Sequence, residues 1–138
     1  MVSFAGNAEL RDSGNEVAQD YALLGEIERL DLPNRARESG EYFRGLLTSL
    51  VSRHARVGEI RGRGLMIGMD LVRDPDSREP DPHLAEQLTL AALRRGWILL
   101  PGGPEGNVIS FSPPLTISPD LIRRAVGMLE ETLQELAF

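Results

Sequence analysis

In "EVAQDYALLGEIERL", Val17, Tyr21, Leu24 and Ile27 recur at helical spacing, so the pattern predicts an amphipathic helix from about Glu16 to Leu30. Gly25 weakens that helix without ending it. From about Leu32 to His54 the same period sets Ala36, Phe43, Leu47, Leu50 and His54 on one side and most arginines on the other. This is the longest helix the pattern predicts. The period breaks at "VGEIRGRG", and in "LMIGMDLV" Leu65, Ile67, Met69 and Leu71 alternate with Met66, Gly68, Asp70 and Val72. That second set is also nearly apolar, which predicts a central strand covered at least in part on both faces.

"RDPDSREPDP" is a polar loop interrupted by proline, and Asp81-Pro82 reads as an N-cap with proline in the first helical position. The helix that follows reaches about Arg95 and turns Leu84, Leu88 and Ala91 inward. "GWILL" and "NVISF" are expected as two short strands joined by a hairpin loop, "PGGPEG". Ser118-Pro119-Asp120 repeats the capping signal, with an acid where the helix dipole favours it. The closing helix carries Ile122, Ala125, Val126, Leu129, Leu133 and Leu136 inward. Helices and strands do not alternate one for one, so the fold class is α+β: a two-layer domain with a small, largely antiparallel sheet flanked by helices. One domain is expected over residues 1–138, with 1–15 as an irregular lead-in.

Composition narrows the function classes. With 138 residues and 41% apolar content, the chain has enough to bury one core without metal or disulfide staples. The net charge of -6 argues against a general nucleic-acid surface, which needs a basic excess to displace counterions. Cysteine is absent, so there is no thiol nucleophile or thiolate metal site, and with only His54 and His83 no metal site is expected. No apolar run approaches the roughly 20 residues of a membrane span, and no signal-peptide pattern opens the chain; a soluble cytoplasmic protein is the expectation. All 15 basic residues are arginine, and lysine does not occur.

Few residues present themselves as a site. The "RGRG" stretch, Arg61 to Gly64, suits a phosphate grip in principle, but a glycine turn with solvated or surface-paired arginines is the favoured reading. "PGGPEG" lies between strands and opens no helix, so it lacks the aligned N–H groups of a phosphate cradle. His54 sits at a helix C-terminus, where an imidazolium is favourable without any catalytic role, and His83 falls in a first turn, exposed. Glu130, Glu131 and Glu135 read as the wet face of the last helix. The residues describe a module with no self-contained active site.

Taken in order, "VGEIRGRGLMIGMDLVRD", a helix, "GWILLPGGPEGNVISFSPPLTIS" and a closing helix resemble the C-terminal part of class III aminotransferases, the pyridoxal-phosphate (PLP) enzymes that include 4-aminobutyrate, acetylornithine and diaminobutyrate aminotransferases. The resemblance runs from about Leu32 to Leu136 and includes Pro113-Pro114 with Leu115 and Thr116 ahead of the last helix. Upstream, "SFAGNA" resembles the family's Thr-Phe-Gly-Gly-Asn-Pro segment, while "SGNEVAQ" offers a second possible anchor.

The resemblance implies a homodimeric enzyme that moves an amino group from an amino acid or ω-amine to a 2-oxo acid. In such enzymes a large domain carries the cofactor and its Schiff-base lysine, and a small domain closes over the substrate. This chain resembles the small domain only. Its expected partner is therefore a large PLP-binding domain, and without lysine it is expected to be inactive alone and to hold no cofactor by itself. No catalytic residue and no metal ligand is assigned. Ser3 matches the residue that reaches the cofactor phosphate of the neighbouring subunit. Ser110 stands where many relatives place an arginine that forks onto a substrate carboxylate, so carboxylate recognition departs from the family's pattern here. Neither Arg61 nor Arg63 is read as a ligand; both are expected to brace loops near the domain junction. Two rival readings remain: a stand-alone interaction or regulatory module derived from the same fold, or a domain completed by a separate chain.

Overall fold

The computed structural model describes residues 2–3 and 16–136. Two glycine-bearing hairpins build the sheet. The first joins β2 (Val57–Arg63) to β3 (Met66–Leu71) through Gly64 and Leu65, with Gly64 at φ 52, the left-handed geometry that a two-residue hairpin loop demands and glycine supplies without strain. The second joins β5 (Leu100–Gly102) to β6 (Val108–Phe111). β3 pairs with β6, giving an antiparallel sheet of order β2-β3-β6-β5. Apart from it, β1 (Val2–Ser3) lies parallel to β4 (Trp97–Ile98), so part of the expected irregular lead-in is extended backbone.

"GWILL" is thus two strands and not one. Its first half pairs with β1 and its second half with β6, and Leu99 between them turns into the core, 3% exposed. A segment that changes partners cannot keep one continuous ladder. Period-2 alternation carries no signal for such a switch.

Four helices complete the described chain: α1 (Glu16–Arg29), α2 (Leu32–Arg53), α3 (Pro82–Arg94) and α4 (Pro119–Leu136). The starts of α3 and α4 follow the capping logic. The Asp81 carboxylate accepts from the Leu84 N–H at 3.0 Å with Pro82 in the first turn, and the Ser118 hydroxyl accepts from the Leu121 N–H at 3.2 Å. At the end of α2, the His54 N–H donates to the Leu50 carbonyl at 2.8 Å.

The core lies between α2, α3 and α4 and one face of the sheet. Phe43, Leu47 and Leu50 from α2, Leu84 and Leu88 from α3, and Ile122, Leu129 and Leu133 from α4 meet Ile67, Met69, Leu71, Ile109 and Phe111. Each such side chain contributes about 1.5–3 kcal/mol on burial. The rings of Phe43 and Phe111 meet edge to face at 5.3 Å, tying α2 to β6. α2 also approaches the first hairpin so closely that a Cβ on Gly40 would sit 2.0 Å from the Gly64 carbonyl oxygen. Only glycine fits there.

β3 is central, as its apolar pattern implies, and its second side is covered only in part: Val72 and Val108 are buried, at 4% and 8% exposed, whereas Met66 is 74% exposed and Arg61 and Ser110 are open to solvent. α2 and α3 reach the sheet from the Ile67, Met69 and Leu71 side, and α4 packs on those two helices. The stripe of α1 is also uncovered. Val17, Tyr21 and Leu24 are 71%, 75% and 57% exposed, and Ile27 alone is partly shielded.

Candidate functional site on the open sheet face

Directly opposed residues of antiparallel strands share a face. The register Arg61↔Gly68, Gly68↔Ser110 and Ser110↔Leu100 therefore draws one row across all four strands on the uncovered side. Asp70, Val108 and Gly102 form the row beside it. Gly68 leaves the middle of the first row bare: a Cβ there would lie 3.9 Å from the Arg61 Cγ, so the arginine stem lies against the space the glycine vacates. Arg61 and Ser110 line one shallow concavity of about 400 Å³ that also touches Met66, Gly103 and Ser112.

Arg61 is held by charge. Its Nη1 donates to Asp70 Oδ2 at 2.8 Å and lies 3.7 Å from a Glu59 oxygen. The Asp70 hydrogen bond and charge raise the guanidinium pKa above its already high ordinary value, so Arg61 is a permanent cation. The second Asp70 oxygen, Oδ1, is buried with no hydrogen-bond partner among the described residues. Arg61 thus braces strand to strand instead of bracing a loop. The loop role falls to Arg44, whose Nη1 donates to the Gly62 carbonyl at 3.0 Å.

A second polar cluster joins the start of β2 to α3. Arg56 donates from Nε to the Val72 carbonyl at 3.1 Å and from Nη2 to the Asp81 carboxylate. Burial pushes the Asp81 carboxyl up, but the Leu84 N–H and Arg56 overcome that effect and hold it below its ordinary value. His83 and Arg73 line the surface beside it. The Arg56–Asp81 contact ties the start of β2 to the start of α3, and the cluster reads as a staple.

Ser110 is exposed and central in the row, on the uncovered face. Ser3 has backbone pairing to Ile98, while its side chain and residues 4–15, including most of "SFAGNA" and the start of "SGNEVAQ", lie outside the described residues. His54 closes α2 as its residue type suggests, though its Nε2 is buried without a partner among the described residues. Glu130 and Glu135 pair with Arg53 and Arg95. Among the described residues no three His, Asp or Glu side chains cluster as metal ligands, and no helix is long and apolar enough to cross a membrane. Sequence reasoning missed Gly68 and Asp70 as members of the site. The alternation in "LMIGMDLV" contained the signal, since both share the face of Met66.

A sequence-family profile described as Aminotransferase class-III matches residues 13–133. The chain belongs to this family. It is 38% identical over 122 residues to a 4-aminobutyrate aminotransferase of Mycobacterium leprae, a match that covers 87% of this chain and 27% of that protein. It is 33% identical over 133 residues to an alanine/serine racemase of Pyrococcus horikoshii, covering 95% of this chain and 28% of the racemase. The fold superposes with TM-score 0.78 on an Arthrobacter phospholyase solved in complex with phosphoethanolamine, at 33% identity, over 83% of this chain and 27% of that one. The chain therefore spans little more than a quarter of each of these relatives. A transferase, a racemase and a phospholyase share this segment, so the segment by itself does not select the reaction.

PLP is the family's cofactor. The residues present do not fit it: the 138 residues include no lysine for its attachment.

Proposed function

We propose that these residues form the small, C-terminal domain of a PLP-dependent class III enzyme that transfers an amino group from an amino acid or ω-amine to a 2-oxo acid. The chain is inert on its own in this reading. The cofactor lysine and the large domain come from polypeptide beyond these residues or from a second chain, and the assembled enzyme is a homodimer in the cytoplasm. The observation that carries the reading is the one-sided sheet: helices cover one face, and the other presents Ser110 uncovered within a concavity. Ser110 meets the substrate on that face, and the Ser3 hydroxyl reaches the cofactor phosphate of the neighbouring subunit. A face of this kind excludes water once a second domain closes over it, which strengthens each polar contact made there.

Adduct mapping tests the chain's share of the chemistry. The chain is incubated with pyridoxal phosphate and reduced with borohydride, and mass spectrometry locates any label. Labelling confined to the terminal amine is the expected result; stoichiometric, saturable binding elsewhere would overturn the reading.

A further inference from the structure

We propose that the outer ridge of α3 is a docking surface for a second copy of this chain, the two α3 helices lying antiparallel about a two-fold axis at Leu90. The contact is independent of the proposed function.

The ridge consists of Glu86, Leu90 and Arg94, spaced four residues apart, so their side chains form one row along the helix. All three are exposed, and Leu93 beside them is 45% exposed against 49% for Leu90. α3 buries its other side, Leu84, Ala85, Leu88 and Ala92, and packs on α4 and on the covered side of the sheet. The ridge therefore lies clear of the open sheet face and stays accessible when a further domain closes there. Beside it, where α3 meets the β5–β6 hairpin, runs a groove of about 260 Å³ lined by Pro82, Glu86, Thr89, Leu90, Pro101 and Gly106.

Charge selects the occupant. Glu86 and Arg94 have no ion pair among the described residues, unlike the neighbouring Arg95, which pairs with Glu135. They stand four residues to either side of Leu90 with opposite signs. Turned end for end, the ridge is its own complement. Rows of this spacing on two helices interdigitate in the commonest mode of helix packing, and in the antiparallel pair each Leu90 enters the other copy's groove while each Glu86 meets the second copy's Arg94. Symmetry makes that ion pair twice. A parallel pair would set glutamate against glutamate and arginine against arginine, so the order of charges fixes the direction.

The size of the contact sets its strength. A helix of 13 residues is about 20 Å long, which places the interface at the small end of the range for proteins. Two copies of net charge -6 also repel at a distance. In the isolated chain the contact is transient and lies below the reach of light scattering; it holds copies together where another contact already brings them close.

Covalent trapping tests this. The chain has no cysteine, so one introduced thiol reports on the axis, where a residue meets its own copy within disulfide reach. Every variant also carries Tyr21→Glu and Leu24→Glu, which remove the apolar stripe of α1 from the measurement. Under mild oxidation, Leu90→Cys should form an intermolecular disulfide severalfold faster than Thr48→Cys, an exposed position on α2, once each rate is divided by that thiol's rate with iodoacetamide. Added salt should shrink the ratio, because it screens the paired charges. Glu86→Arg or Arg94→Glu, each combined with Leu90→Cys, should abolish the advantage, since either leaves like charges along the ridge. Mixed together, these two variants should regain it as a heterodimer, recognised by its mass. Coupling at Leu90→Cys no faster than at Thr48→Cys, or no recovery in the mixture, would overturn the proposal.

Discussion

Asp81 carries more of this fold than its single carboxylate suggests. One oxygen caps α3 through the Leu84 N–H, and the other meets Arg56 from the start of β2. Asp81→Ala removes both contacts and should cost about 1–2 kcal/mol, measured as a fall in urea midpoint at unchanged slope. Asp81→Asn keeps a capping oxygen and should cost less. Because the folded-state pKa is held below its ordinary value of 3.8, the carboxylate's contribution is complete above that value and disappears as pH falls through the folded-state value. The wild type should therefore lose stability below about pH 4 more steeply than Asp81→Asn. Gly40 is the opposite kind of residue, needed for what it lacks. Gly40→Ala would force a methyl to 2.0 Å from the Gly64 oxygen, a backbone atom that cannot rotate aside. A loss of about 3 kcal/mol is expected, with the first hairpin protected least in hydrogen exchange.

Among the elements, α1 stands apart. It has the spacing of an amphipathic helix, yet Val17, Tyr21 and Leu24 face solvent, and among the described elements it packs chiefly on α2. An exposed apolar stripe of this kind seeks a partner. The chain should self-associate in a concentration series followed by light scattering, and the double substitution Tyr21→Glu with Leu24→Glu should return it to a monomer without shifting the thermal midpoint of the core. A strictly monomeric wild type at high concentration would show that the stripe is tolerated in water. Inside the sheet, the split of "GWILL" has the same lesson at shorter range: each half obeys strand propensity, and the available partners decide where the break falls.

For the molecule as a whole, the consequence lies at position 110. In the substrate role proposed above, Ser110 offers one neutral donor where the resemblance implies a charged fork, and a charge-assisted hydrogen bond contributes about 1.5–3 kcal/mol against about 1 for a neutral one. In the assembled enzyme, Ser110→Arg should raise kcat/KM for carboxylate-bearing donors over plain ω-amines, by about tenfold for each 1.4 kcal/mol gained. An unchanged donor preference in a stably folded variant would remove Ser110 from the substrate site. The position is exposed on the uncovered face, so the longer side chain meets no core.

Local chemistry alone determined much of this protein. The helix spans around Phe43, Leu88 and Leu129, the caps at Asp81 and Ser118, and the two glycine hairpins all arise from interactions within a few residues, which periodicity and turn composition report directly. The absence of lysine is likewise a property of the chain's letters. Burial is different, because it depends on which element arrives on which side. Met66 and Ile67 are equally apolar and adjacent, but one is 74% exposed and the other 3%, since the core helices lie on a single face. The row from Arg61 through Gly68 to Ser110 joins residues 49 positions apart through register, and a slip of one residue would scatter it to opposite faces. That pairing is set by the packed sheet, and only the tertiary structure could decide it.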